Sequence, residues 1–181
     1  MRRLFPLLAA TTLTACATTE PSEPADAFMA NLNTLCGQTH EGKLVTTDPA
    51  DADFAGKKLV MGPVACNGNE VQIPFAVGEN RTRTWVITRT NVGVRLKHVH
   101  RHDDGTEDKV SRYGGDTASV GTATRQEFPA DEFSKLIFRA NKLDRSVDNV
   151  WAVEAAPGKH FAYELRRPNR HFRVEFPLKP S

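Results

Sequence analysis

The chain has 181 residues, 39% apolar and 25% charged, which suits one domain with its own hydrophobic core. Lys and Arg number 24 against 22 Asp and Glu, and Arg2 and Arg3 account for the excess, so the body is near neutral and a poor match for nucleic acid. Its charge is unevenly spread: residues 16–80 carry 3 basic and 9 acidic side chains, residues 81–181 carry 19 and 13. The basic half favours an anionic ligand or a lipid headgroup.

The first element is a targeting segment. In "MRRLFPLLAATTLTAC" two arginines precede an apolar run and then small residues. That is the pattern of a secretory signal over residues 1–15, too short for a spanning helix. "LTAC", Leu13 to Cys16, resembles the lipobox of bacterial lipoproteins. The resemblance implies that Cys16 is lipidated and becomes the first residue of the mature chain. Ala17 where that family's retention signal has Asp implies the periplasmic face of the outer membrane of a Gram-negative cell. Residues 16–25, with "ATTEPSEPA" after the cysteine, read as a lipidated tether, leaving 26–181 as a single β-rich domain.

Export to an oxidising compartment bears on the cysteines. If Cys16 carries lipid, Cys36 and Cys66 remain, and an even remainder reads as one disulfide rather than two buried thiols. Its loop of about 30 residues would stabilise the fold by roughly 3–4 kcal/mol.

The spacing predicts a helix from about Pro24 to Cys36, capped by Ser22 and ended by Gly37, with Phe28, Leu32, Leu35 and Cys36 on one stripe. The period then changes to two. Strands are predicted at 43–47, 57–66, 70–77, 81–90, 93–102, 109–113 and 120–128, with "GGDTAS" (114–119) as a loop. "YGGDT" reads as a tight turn or a place where a ligand approaches closely. A second helix is predicted over 129–143, with Pro129 in its first turn and Phe133, Leu136, Ile137 and Ala140 facing the core. Strands at 150–155, 159–167 and 169–176 close the chain.

Roughly nine or ten short strands at this spacing predict a mainly β fold, a single antiparallel barrel or sandwich with one helix at its N-terminus and one before the terminal strands. The layout resembles that of lipocalins, although the G-x-W motif of that family is absent. Much of the mature chain is also similar to uncharacterised secreted proteins of proteobacteria, through "TRT", "LKHVHRHDDGT", "YGGDT" and "AYELRRPNRHFRVEF". That similarity implies no activity.

"KHVHRHDDG" (97–105) holds the densest chemistry. In a strand His98, His100 and His102 share a face with Val94 and Leu96. Alternate Cα atoms are about 7 Å apart, so His98 and His100 could converge on one divalent metal, whereas His98 and His102, about 13 Å apart, could not. Further ligands would come from Asp108, Glu127, His160 or His171. The same pattern also reads as a polar cluster lining a cavity, or as the solvated rim of a hairpin. Register decides the neighbours: a two-residue loop after Thr90 sets Trp85 beside His98, and a three-residue loop sets threonines there. Trp85, His98 and Arg83 are the ligand-binding candidates of this hairpin. Arg166, Arg167, Arg170, His171 and Arg173 read either as a solvated face or as a patch for phosphate or carboxylate.

No nucleophile elbow, phosphate loop, zinc-protease motif or dinucleotide fingerprint occurs. No catalytic residue or resident cofactor is expected. The sequence therefore favours an envelope protein that binds a small amphipathic or anionic ligand, or a partner protein. A metal carrier or metal-dependent enzyme built on His98 and His100 is the alternative.

Overall fold

Alternation of apolar and polar side chains carries the described residues through eleven strands, all paired antiparallel. The computed structural model describes residues 23–179; the signal, Cys16 and Ser22 lie outside the described residues. In chain order the elements are α1 (Pro24–Asn33), β1 (His40–Leu44), β2 (Leu59–Met61), β3 (Ala65–Asn67), β4 (Glu70–Val77), β5 (Asn80–Thr90), β6 (Gly93–His100), β7 (Tyr113–Asp116), β8 (Arg125–Pro129), α2 (Glu132–Ala140), β9 (Val150–Ala156), β10 (His160–Arg167) and β11 (Arg170–Pro177). The sheet runs β7-β6-β5-β4-β2-β1-β11-β10-β9-β8, with β3 on the side of β4. It curls into a nearly closed barrel, which settles barrel against sandwich.

The seam lies between β7 and β8, where a side chain replaces ladder bonds. The Ser134 hydroxyl accepts from Gly114 N (2.7 Å) and shares its one proton between Gly114 O (2.9 Å) and Asp131 Oδ1 (2.6 Å), and Asp131 N donates to the same Gly114 carbonyl (2.9 Å). Asp131 also caps α2 by accepting from Ser134 N (2.8 Å). One short helix thus staples both edges that the sheet leaves open.

Inward residues from every side fill the barrel. Ile73, Ile87, Leu96, Phe128, Phe161, Val174 and Phe176 are fully buried and form one cluster with Phe28 and Leu32 of α1. Helix α1 closes the end beside the β5–β6 turn, where Asp26 pairs with Arg89 at 2.6 Å. A disulfide joins Cys36 to Cys66, with Cα atoms 5.8 Å apart, and ties the chain after α1 to β3.

Several sequence expectations need correction. Helix α1 stops at Asn33, before Cys36. Pro129 is the last residue of β8, paired with Val150, rather than the start of a helix. Residues 109–112 are not strand, whereas "YGGD" is. Phe133 and Leu136 of α2 face solvent, 51% and 64% exposed, while Ser134 and Phe138 are buried. The helix is only 9 residues long and is oriented by the Ser134 bonds to Gly114, which outweigh the apolar stripe.

Candidate functional site

Strand pairing places the histidines. Thr90 pairs with Gly93, so Asn91 and Val92 form a two-residue loop, and Trp85 lies opposite His98. Seven residues along β5, about 23 Å from that turn, Arg83 pairs with His100 at the other end of the barrel. There the packed lumen opens into a pocket of about 260 Å³.

Trp85, Tyr113, Trp151, Tyr163 and Phe172 form its aromatic walls, while Phe54 from the β1–β2 connection and Phe138 and Leu143 from α2 and its C-terminal turn border it. The rings are packed against one another: Trp85 stacks on Tyr163 (centroids 4.4 Å) and on Phe75 (4.5 Å), and His98 stacks on Tyr113 (4.6 Å). Phe138 leans on Tyr113 at 5.2 Å, which gives α2 a second anchor.

His98 is buried and uses both ring nitrogens. Nδ1 lies 3.1 Å from Tyr113 O and Nε2 lies 2.7 Å from the Tyr163 hydroxyl. A carbonyl only accepts, so Nδ1 carries the proton and a neutral ring accepts from Tyr163 through Nε2. Burial pushes the His98 pKa down to about 3 and that of Tyr163 well above the usual phenol value. His100 Nε2 lies 3.0 Å from the Tyr113 hydroxyl. Burial lowers the His100 pKa and raises that of Tyr113 to about 12. Both imidazole–phenol pairs are therefore neutral at pH 7, and they give the wall a polar but uncharged stripe.

The metal-ligand candidates do not assemble around His98 and His100. His102 is exposed, 3.8 Å from Asp108. His160 pairs with Glu154 (2.8 Å), His171 lies 3.6 Å from Glu164, and Glu127 binds Arg125 (2.9 Å) and Arg166 (2.5 Å). Among the described residues no three His, Cys, Asp or Glu side chains stand where they could hold one ion.

The arginine cluster divides by strand parity. Arg166 and Arg173 point outward into a network with Glu127, Glu154, Glu164 and Glu175. Hydrogen bonding from Arg173, with help from His160 and Arg125, lowers the Glu154 pKa to about 2. Arg167 and Arg170 instead border the pocket, as Arg83 does. The sequence reading named Trp85, His98, His100 and Arg83 and left the hairpin register open; the observed pairing brings them to one place. The sequence reading missed Tyr113, Trp151 and Tyr163. Strand parity with Phe161 could have pointed Tyr163 and Arg167 inward, but nothing in the periodicity says that β9–β11 face β5–β7.

Comparison with protein-family models, with curated proteins and with solved structures finds no match.

Proposed function

We propose that this is a lipid-anchored envelope protein whose barrel mouth binds a small, flat, amphipathic molecule without transforming it. The mouth pocket carries the reading. At about 260 Å³ it lies slightly below the usual range of small-molecule sites, and its walls combine aromatic faces with a few fixed polar groups. The lumen behind it is packed, which limits the occupant to the mouth and disfavours a long acyl chain.

Anchoring rests on the signal and Cys16. Seven residues from Cys16 to Glu23 span at most about 25 Å. Glu23 borders the same cleft as Val92 and Val120, which are 91% and 74% exposed. That cleft is at the α1 end, so a lipid on Cys16 would tether the barrel by the end opposite the pocket. Cys16→Ser is expected to move the chain from the membrane fraction to the soluble one; retention in the membrane would contradict the anchor.

Both tryptophans of the chain line the pocket, so intrinsic emission reports its occupancy. Titration with phenylacetamide, a neutral probe that fits the cavity, is expected to change that emission saturably. An unchanged spectrum up to the solubility limit would contradict a binding role for the mouth.

A further inference from the structure

The charges around the mouth are one-sided. Three arginines border the pocket, Arg83, Arg167 and Arg170, and no carboxylate side chain does among the described residues. Arg170 is already neutralised by Asp51, and by Asp48 at 3.3 Å. The other two are not. Arg83 donates to the side-chain oxygen of Asn80 (2.7 Å), and Arg167 to those of Asn149 (3.0 Å) and Ser146 (3.5 Å). All of these are neutral acceptors, and neither guanidinium has an ion-pair partner among the described residues.

Elsewhere this chain pairs its half-buried arginines with carboxylates. Arg89, Arg125 and Arg173 all have them within 3.1 Å. Two unpaired guanidiniums beside one apolar cavity are therefore a departure from the protein's own habit. Partial burial works against the Arg167 charge, Arg170 and Arg145 nearby push the same way, and the more distant Asp48 offsets part of this. The charge of Arg83 acts on His100, Tyr113 and Tyr163, with Asp108 opposing it at the first two. With both histidines neutral, Arg83 and Arg167 are the charged side chains of the lining without a carboxylate at ion-pair distance among the described residues.

We infer that Arg83 and Arg167 select an anion, and that the occupant is a small aromatic or compact apolar molecule bearing one carboxylate or similar oxyanion. Guanidinium groups present planar donor pairs that match such oxyanions, and the apolar body would lie against Trp85 and Trp151. The inference rests on the mouth being a binding site and adds the charge of the ligand.

The test compares phenylacetate, ionised at neutral pH, with phenylacetamide, which has the same body and no charge. The acid is expected to bind about tenfold tighter or more, the low end of what a charged hydrogen bond contributes. In an Arg83→Gln/Arg167→Gln variant the two affinities should come within about twofold of each other. Amide binding should weaken far less than acid binding, and an unchanged far-UV circular dichroism spectrum and thermal midpoint serve as the folding control. Equal affinities in the native chain, or a preference for the amide, would overturn the anion inference and leave the pocket reading standing. A preference that survives the double substitution would overturn the assignment to these arginines. Binding of neither probe would overturn both.

Discussion

Alanine at Gly115 is expected to lower stability by about 3 kcal/mol or more. A Cβ there would sit 1.8 Å from Pro129 O, a backbone atom that cannot move aside without shifting β8 away from β7. Gly114 is equally constrained: its Cβ would lie 1.9 Å from Leu96 O, and its φ of +154° is one that L side chains rarely adopt. These residues sit where Ser134 bonds across the seam, so any side chain separates the edges that the serine joins. Gly68→Ala is the control, with positive φ (+59°) but open space around its Cβ, and should cost only about 1–2 kcal/mol. Urea unfolding midpoints of the two variants decide the matter. If Gly115→Ala is no less stable than Gly68→Ala, the seam does not depend on close approach. Because β7 also carries Tyr113 to His98 and His100, the Gly115 variant should bind phenylacetamide more weakly as well.

The second large effect is a loss of stability in mild acid that traces to His98. Its folded pKa of about 3 lies below the ordinary 6.5, so the unfolded chain takes up a proton that the fold refuses. Stability is therefore full above pH 6.5 and falls as pH drops toward 3. By pH 4.5 the loss from this residue is about 3 kcal/mol. His100, also lowered by burial, adds to the same window. The Glu154 carboxyl, ordinarily near 4.5 and here about 2, loses its contribution lower, between those values. The two windows overlap below pH 4.5, so the interval between pH 6.5 and 4.5 reports the pocket histidines apart from Glu154. Chemical unfolding at pH 7 and pH 4.5 should show the drop in the native chain and a much smaller one in His98→Gln. An unchanged slope in that variant would mean that His98 is charged, or solvated, in the fold.

The strands were legible because their apolar residues alternate, and β4 with Val71, Ile73, Phe75 and Val77 shows it most plainly. Two elements were not, for different reasons. Strand β7 is made of Tyr, Gly, Gly and Asp, of which only Tyr favours a strand; close packing against β6 and Pro129 requires the glycines. Helix α2 presents its apolar side to solvent because a serine, not a leucine, anchors it. At the site, the hairpin brought Trp85, His98 and Arg83 together once its loop length was known. Asn91-Val92-Gly93 satisfied two loop lengths on paper, and tertiary pairing chose between them. Tyr163 lies 65 residues from His98, and only barrel closure joins them. Arg167 was visible as part of a basic cluster, yet its separation from Arg166 and Arg173 follows from strand parity, which charge counting ignores.

The most direct test of a ligand-binding mouth is to follow the two indole N–H resonances, of Trp85 and Trp151, together with the backbone amides, by NMR during titration with phenylacetate. Both indole signals should shift saturably, with the largest amide changes in β5, β6 and β10 around Arg83, His98 and Arg167. Shifts confined to the α1 end or the outer ion-pair face, with both indoles unmoved, would contradict the account.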